Sequence, residues 1–219
     1  FSAAVKAAYE GAELEHGYEL PDLDGPEIEG MMDIMKLMFQ SDKSKSGKSD
    51  YIAVVPFEGE ISSASIAPVR AQILKLIKDK HAKALVLRVD SPGGSALASE
   101  VLWEATDEWK ASGRPFVVSM GGVAASGGYY ISSGADRIFA EEGTVTGSIG
   151  VVGMKMVLGG AMEKLGVERR AYTAGDNKDF LDPFAPENPA HKEHVNRMLG
   201  EIHEQFIKVV RDGRGKRLK

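Results

Sequence analysis

The sequence predicts an α/β protein with a largely parallel sheet, and two observations carry that prediction. Apolar runs typical of buried strands alternate with runs that have helical spacing, from residue 51 to residue 210. Glycine is also concentrated, because fourteen of the 25 glycines fall between Asp90 and Gly160. Such clusters are expected where backbone segments approach closely or adopt positive φ. We therefore expect a sheet with helical crossovers and a glycine-lined region near its strand ends.

Each element of this fold is predicted from its own pattern. Residues 51–57 (YIAVVPF) form the first predicted strand, and residues 83–90 (KALVLRVD) form a second, buried one. Between them, apolar residues at helical spacing predict a helix over residues 65–79, with Ser65 as the expected N-cap. The other predicted strands span residues 115–120, 137–140, 144–152 and 168–173. The other predicted helices span residues 95–110, a short stretch from about 125, residues 157–165 and residues 189–210.

The first 50 residues differ in composition from the rest of the chain. Residues 1–13 have the pattern of a short helix, residues 31–39 (MMDIMKLMF) are apolar with a helical character, and residues 41–50 (SDKSKSGKSD) are typical of a polar linker. The methionine-rich run fits a helix packed on its own domain or a neighbour, and also a surface for a peptide or membrane. We expect residues 1–50 to be the tail of an upstream domain or an anchor region, followed by one domain over residues 51–219.

Charge and cysteine content exclude several classes of function. The chain has 27 basic and 32 acidic side chains, and the resulting net charge of −5 disfavours a nucleic-acid-binding protein. The absence of cysteine excludes a disulfide framework, a thiol nucleophile, a zinc–thiolate site and an iron–sulfur cluster. No apolar run approaches the ~18 residues needed to span a bilayer, and no signal-peptide pattern opens the chain.

Three glycine-rich turns are candidate sites. The first, SPGGS at residues 91–95, offers unhindered N–H groups before a helix and fits an oxyanion or phosphate site as well as a plain tight turn. In the second, GGVAASGGYY at residues 121–130, Ser126 fits a nucleophile with the Gly127 N–H as oxyanion donor, and equally an N-cap. The third, TVTGSIGVVG at residues 144–153, makes Ser148 either a site residue or a turn residue.

A serine nucleophile needs a base, and the histidines are poorly placed to be one. None of the five follows a strand or lies in a glycine-rich turn: His16, His81, His191, His194 and His203. A lysine can replace histidine when burial keeps its amine neutral. Lys178 lies in a loop before the last helix, in the sequence AGDNKDFLDPF. By itself it has the character of an exposed loop lysine, so its role stays open at this point.

Taken together, four segments resemble the signal peptide peptidase A family, which are serine peptidases of the ClpP/crotonase-like superfamily. The segments are LRVDSPGGS (87–95), VVSMGGVAASGGYYIS (117–132), TGSIGVVG (146–153) and AGDNKDFLDPF (174–184). Their combination in this order is highly specific, and the resemblance covers residues 51–210. It implies a ClpP/crotonase-like fold of strand–helix units and hydrolysis of peptide bonds by a Ser–Lys dyad.

The resemblance also implies a role for each matching residue. Ser126 matches the nucleophile, Lys178 the general base, and Ser148 the serine that orients the lysine amine. Gly94 and Gly127 match the backbone donors of the oxyanion hole. Small or apolar residues beside the site are expected to contact substrate, namely Val123, Ala124 and Val151. The implied chemistry calls for no metal and no cofactor.

The resemblance further implies substrates, partners and a location. Substrates are residual signal peptides or other extended apolar peptides. Because the chain keeps Lys178, it looks like the single-repeat type, in which neighbouring subunits of a homo-oligomeric ring share the serine and the lysine. Family members are usually held in the bacterial cytoplasmic membrane by an N-terminal anchor, with the catalytic domain on the periplasmic or extracytoplasmic side. Their chains also usually continue past the last helix. We therefore expect an anchor and a C-terminal part beyond the present sequence.

Other interpretations make different demands on the same residues. An acyl-CoA enzyme of the crotonase type shares the Gly-Gly oxyanion turn but uses Glu or Asp as its acid or base. A non-catalytic assembly subunit of the same fold needs no intact dyad. A ClpP-like triad is disfavoured because no histidine lies near the third glycine turn.

Overall fold

A six-stranded sheet organises the chain in the computed structural model, which describes residues 13–16, 49–175, 178–185 and 188–215. The strands are β1 (Glu13–His16), β2 (Tyr51–Glu58), β3 (Ala82–Ser91), β4 (Phe116–Ala125), β5 (Arg137–Phe139) and β6 (Val145–Gly147). The helices are α1 (Ser63–Lys78), α2 (Ala96–Ala111), α3 (Gly127–Ser132), α4 (Gly159–Lys164) and α5 (Pro189–Arg214).

All strand pairings in this sheet are parallel. The order is β1-β2-β3-β4-β5, and β6 pairs with the carboxyl end of β4. The carboxyl ends of parallel strands lie at one edge of a sheet, so the turns after β3, β4 and β6 are brought to the same edge. The structure thus confirms the predicted α/β class with a largely parallel sheet.

The main hydrophobic core lies between the sheet and helices α1 to α3. The central strands contribute side chains with no measurable exposure, such as Val55, Leu87 and Val118. Ile73 of α1 and Leu102 of α2 pack against them from the helical layer. Each such side chain contributes roughly 1.5–3 kcal/mol by leaving water. This packing fixes the strand ends from which the candidate site is built.

The start of α1 corrects one predicted cap. Ser62, rather than Ser65, is the N-cap: its Oγ accepts the Ser65 N–H at 3.2 Å, while the Ser65 Oγ accepts the Ser62 N–H at 2.9 Å. This reciprocal arrangement is a capping box. The helix begins earlier than predicted because Ile61 bridges to Gly94 and leaves Ser62 extended at the helix boundary.

Arg114 ties the end of α1 to the sheet. The carbonyls of the last turn of a helix lack intrahelical partners, and an arginine can supply several donors to them. The Arg114 guanidinium also lies 3.8 Å from the centre of the Trp109 ring. It donates hydrogen bonds to four carbonyl oxygens, those of Leu76, Ile77, Asp79 and Ala82.

Several predicted element boundaries were wrong. Residues 144–152 contain only the short strand β6, because Ser148 has a φ of 50° and the chain turns away from β4 there. Residues 168–173 are exposed and pair with no strand in the part of the chain that the structure describes. Helix α5 continues to Arg214 rather than stopping at 210.

The N-terminal segment is described only at Glu13–His16, which form a parallel edge strand beside β2 rather than the end of a helix. The rest of the helix predicted over residues 1–13, the apolar run at 31–39 and most of the linker at 41–50 lie outside the described residues.

Helix α5 packs on the helical layer through aromatic contacts. Its Phe206 is buried, and the ring centre lies 4.9 Å from that of Tyr130 in α3. Tyr130 in turn donates a hydrogen bond to Glu100 of α2 and meets Trp103 edge-on.

Among the described residues, no helix is both long enough and apolar enough to span a membrane.

Candidate active site

The glycine turns after β3 and β4 pack directly against each other. Gly93 has a φ of +102°, and a Cβ built on it would lie 2.7 Å from the Gly127 nitrogen and 2.8 Å from the Ser126 Cβ. Only glycine fits such a position without displacing its neighbours. The sequence therefore places two glycines, Gly93 and Gly94, beside the turn that carries Ser126.

Ser126 occupies a strained turn between β4 and α3. Its φ of 50° and ψ of −120° are rare for a residue with a side chain, and such strain tends to occur at functional sites. Although Ser126 stands at the N-cap position, its side chain forms no capping hydrogen bond. The hydroxyl is thus left free for another use. A serine on a sharp strand-to-helix turn is the arrangement of a nucleophile elbow.

Ser148 lies next to Ser126 on the neighbouring strand. Ala125 of β4 is paired in register with Gly147 of β6, so the two serines are the next residues along adjacent strands. The Ser126 N–H donates to the Gly147 carbonyl at 2.9 Å. Ser148 has the same φ of 50° as Ser126 and is exposed. The two predicted serines are therefore held together by the sheet.

The two predicted oxyanion donors adjoin the Gly93–Ser126 contact, because Gly94 follows Gly93 and Gly127 follows Ser126 along the chain. Gly127 is the first residue of α3, where the N–H has no intrahelical acceptor. The Gly94 N–H has no hydrogen-bond partner among the described residues, whereas its neighbours are engaged: the Gly93 carbonyl accepts the Ile61 N–H at 2.8 Å, and the Ser95 N–H donates to the Ile61 carbonyl at 2.8 Å. Two backbone donors are therefore available near the serine.

Close packing beneath the turns involves residues that the sequence analysis did not identify. A Cβ on Gly121 would lie 2.6 Å from the Asp90 Cγ, and Asp90 Oδ1 accepts the Val123 N–H at 3.0 Å. Gly127 leaves no room for a side chain beside the buried Ser99 hydroxyl. In the sequence, the feature that could have identified Asp90 is its position immediately before the SPGGS turn. Asp90 is itself exposed, and its carboxylate holds the end of β4.

The residues expected to contact substrate differ in their exposure to solvent. Val123 and Val151 are half-buried. Ala124 has no exposed surface and belongs to the main core, so only its backbone is available to a ligand. Further along, the chain after β6 presents large apolar side chains to solvent, with Val152 at 85% and Met154 at 92% exposure.

Lys178 forms no hydrogen bond with either serine among the described residues of the single chain. No hydrogen bond or ion pair joins Lys178 to any described residue, and its side chain is exposed. Its aliphatic part lies over Gly175, where an added Cβ would meet the Lys178 Cε at 3.3 Å. A hydrogen bond between the predicted base and the predicted nucleophile is thus absent from the described residues of the single chain.

The loop that carries Lys178 is nevertheless well anchored. We call residues 178–185 the lysine loop. The buried His191 lies with its Nε2 at 3.1 Å from the Asp179 Oδ1, and the Pro183 carbonyl accepts the Leu158 N–H at 2.7 Å. Sequence analysis set His191 aside because it follows no strand. His191 lies three residues after the N-cap Asn188, whose side-chain oxygen accepts the His191 N–H at 2.8 Å. At this position the His191 ring is turned towards the lysine loop.

Asp182 forms a second anchor of the lysine loop. Its Oδ1 accepts the Phe184 N–H at 3.0 Å, and its other oxygen forms an ion pair with Arg169. The Phe184 N–H, followed by the charges of Arg169 and Lys155, lowers the pKa of the Asp182 carboxyl below its ordinary value. The carboxylate therefore stays ionised and holds the lysine loop through these two contacts.

Within the described ranges, no group of three or more histidine and acidic residues is arranged to hold a metal ion.

Several known proteins are similar to this chain. The profile of peptidase family S49 matches residues 108–219. A protein named Protease 4 from Haemophilus influenzae is 36% identical over 170 residues, covering 74% of this chain and 28% of that protein. A putative signal peptide peptidase SppA from Enterococcus faecium is 36% identical over 143 residues, covering 65% of this chain and 42% of that protein.

One similar protein carries a different name. A protein of Brucella melitensis biotype 1 named Na(+)/H(+) antiporter NhaA is 39% identical over 155 residues, covering 70% of this chain but 21% of that protein. This chain thus spans well under half the length of each of these three relatives.

Proposed function

Because the chain belongs to peptidase family S49, we propose that it is a serine peptidase in which Ser126 is the nucleophile and Lys178 the general base. The observation that carries the proposal is the Ser126 turn. Its hydroxyl caps no helix, its backbone is strained, and the glycines of the neighbouring turn lie against it. These features fit a nucleophile on a sharp turn beside backbone donors.

The proposed reaction proceeds through an acyl-enzyme. The neutral Lys178 amine takes the proton of the Ser126 hydroxyl as the serine oxygen attacks the scissile carbonyl. The N–H groups of Gly94 and Gly127 stabilise the oxyanion, and each such donor is worth roughly 3 kcal/mol. The protonated lysine then passes its proton to the leaving amine. Water repeats the sequence on the ester and releases the acid.

Ser148 is proposed to position the lysine amine rather than to react. It lies beside Ser126 through the pairing of β6 with β4, and its hydroxyl is exposed. A hydroxyl that accepts a hydrogen bond from the amine directs the nitrogen lone pair towards the nucleophile. This role requires Lys178 to approach the same edge of the sheet.

A second copy of the chain is the proposed source of that lysine. Lys178 is exposed and unpaired within the described residues, as expected of a group that serves another subunit. Exposed apolar side chains near β6, including Val152, Met154 and Met156, give a surface suited to burial between subunits. We propose a closed homo-oligomeric ring in which each Ser126 meets the Lys178 of a neighbour.

Extended apolar peptides are the proposed substrates, with residual signal peptides as the natural class. Ile149 and Val151 follow Ser148 and present apolar surface, which suits an apolar peptide that lies alongside β6 as an added strand. The similar protein from Enterococcus faecium carries the name of a signal peptide peptidase. Action outside the bacterial cytoplasmic membrane is part of the same family-based proposal.

Two substitutions test the dyad. We expect Ser126→Ala and Lys178→Ala each to lower kcat/KM for an apolar fluorogenic peptide by about 10⁴-fold or more, and the double variant to be no worse than either, because dyad members act as a unit. Lys164→Ala is the matched control, since Lys164 is an exposed lysine in α4 away from the glycine turns. Labelling by a fluorophosphonate should require Ser126. Peptidase activity that survives in both dyad variants of the assembled protein would falsify the proposal.

A further inference from the structure

We propose that His203, in the middle of α5, is a positioning residue for Ser148. The His203 Nε2 lies 3.2 Å from the carbonyl oxygen of Ile149, which is the residue after Ser148. Because a carbonyl oxygen only accepts, Nε2 carries the proton of this hydrogen bond. The inference rests on the proposed function, in which Ser148 orients the Lys178 amine, and it adds a residue of α5 to that site.

The turn that His203 contacts has unusual backbone at two successive residues. Gly147 has a φ of 83°, and Ser148 has a φ of 50°. Left-handed backbone is unfavourable for a residue with a side chain, and it persists only where surrounding contacts hold it. The direction of the Ser148 hydroxyl follows from this backbone, so the contacts that hold the turn also set the direction of the hydroxyl.

Three successive carbonyl oxygens of this turn accept hydrogen bonds. The Gly147 oxygen accepts the Ser126 N–H at 2.9 Å, and the Ser148 oxygen accepts the Gly150 N–H at 2.8 Å. The third carbonyl, one residue further on, is bonded to His203. The first bond comes from the turn after β4 and the second lies within the turn, whereas the third ties the turn to a helix. His203 therefore holds the part of the turn that follows Ser148, where the pairing with β4 has ended.

Helix α5 is held on both sides of His203, so the imidazole has a fixed origin. Leu199, one turn earlier, packs against the chain after the turn: a Cβ built on Gly153 would lie 3.3 Å from the Leu199 Cδ2. Phe206, about one turn later, is buried, and its ring centre lies 4.9 Å from that of Tyr130. Residues four apart lie on one face of a helix, so Leu199 and His203 contact the same segment together.

His203 is suited to hold the turn rather than to take a proton from the nucleophile. A general base needs an unprotonated nitrogen that faces the nucleophile, but the His203 Nε2 carries a proton and faces a carbonyl oxygen. In the part of the chain that the structure describes, no hydrogen bond joins His203 to either serine or to Lys178. His203 thus acts on the proposed reaction through the turn.

Two substitutions at His203 test the inference. His203→Met removes the donor but keeps a long side chain. We expect it to lower kcat for an apolar fluorogenic peptide by about tenfold with KM little changed, because a loosened Ser148 orients the amine less well. His203→Gln keeps an N–H donor at a similar reach and should restore most of kcat. His81→Met is the matched control, since this half-buried histidine precedes β3 and its ring pairs with Asp50.

A double variant separates positioning of Ser148 from a general loss of structure. Ser148→Ala is expected to keep residual activity, because the Ser148 hydroxyl does not react in the proposed mechanism. If His203 acts through Ser148, adding His203→Met to Ser148→Ala should lower kcat no further. Two independent defects would instead multiply.

Amide hydrogen exchange tests the contact without peptide cleavage. We expect His203→Met to speed exchange over residues 146–153 by about tenfold, because loss of the His203 bond loosens the turn closed by the Gly150 N–H. Wild type, His203→Gln and His81→Met should exchange alike over the same residues.

The role of His203 is overturned by any of three results. These are unchanged exchange over residues 146–153 in His203→Met, a loss of kcat in His203→Gln as large as that in His203→Met, and a further loss when His203→Met is added to Ser148→Ala. Peptidase activity that survives in both dyad variants would instead remove the proposed function and leave the exchange result standing. The two failures are therefore distinguishable.

Discussion

Gly93 controls the distance between the two turns that form the candidate site. Its φ of +102° lies in a region that residues with side chains rarely adopt, and its α-carbon packs against the Ser126 turn. Ser126 is itself strained, so the surrounding contacts must hold the turn in place. A change at position 93 thus acts directly on the nucleophile.

We expect Gly93→Ala to lower stability by about 1–3 kcal/mol and activity by about 100-fold or more. The new methyl group would collide with the Gly127 nitrogen at 2.7 Å and push away a proposed oxyanion donor. Urea unfolding and peptide hydrolysis measure the two effects. Gly143→Ala is the control, because a Cβ there meets nothing within 4 Å and its φ is not positive. Near-wild-type activity of the folded Gly93→Ala protein would show that this contact does not shape the site.

At the scale of elements, Asp79 joins the end of α1 to the start of β2. The Asp79 carboxylate accepts the Tyr51 hydroxyl at 2.7 Å and the His81 N–H at 2.9 Å. These two hydrogen bonds, the Tyr51 bond first, lower the pKa of Asp79 below its ordinary value. The folded pKa then lies below the unfolded value of about 3.9. The stabilisation is present above that value and is lost as pH falls through the folded pKa.

Tyr51→Phe tests this link through its pH dependence. We expect the variant to be less stable than wild type by about 0.5–1 kcal/mol at pH 7, a modest value because the pair is partly exposed. The difference should shrink as pH falls below about 3.9, where protonation weakens the same bond in wild type. Tyr172→Phe is the control, since Tyr172 is 92% exposed. A stability difference that is constant from pH 7 to pH 2.5 would contradict this account.

The proposed dyad is not joined by a hydrogen bond within one chain. The sheet brings Ser126, Ser148 and the two glycine turns to one edge, but among the described residues no hydrogen bond links Lys178 to either serine. Contacts with His191 and Arg169 hold the lysine loop in the position that leaves Lys178 exposed. An oligomer that pairs the loop of one subunit with the serine of the next would complete the site.

Complementation between inactive variants tests the shared site. Coexpression of Ser126→Ala and Lys178→Ala chains with different tags should give hetero-oligomers with activity at about a quarter of the sites, because some interfaces combine the intact serine of one chain with the intact lysine of its neighbour. Oligomers of either variant alone are the controls and should be inactive. Doubly tagged oligomers without activity, beside an active wild type, would show that serine and lysine come from the same chain.

Local sequence patterns were enough to predict the α/β class, the main strands and helices, and the three glycine turns. These features depend on local patterns: apolar periodicity, and glycines where the backbone has no room for a side chain. The same patterns misjudged the strand at residues 168–173, because a strand also needs a partner in space and none of the described strands pairs with it.

The positions of the candidate residues relative to one another depend on the folded chain. It gave Ser126 a strained turn with no capping bond, which the serine-rich and glycine-rich pattern left open. It placed Ser148 beside Ser126 through strand register, left Lys178 without a hydrogen bond to either serine among the described residues, and turned His191 towards Asp179. Such contacts join residues far apart along the chain, so they depend on packing of the whole sheet and helical layer and not on local sequence pattern.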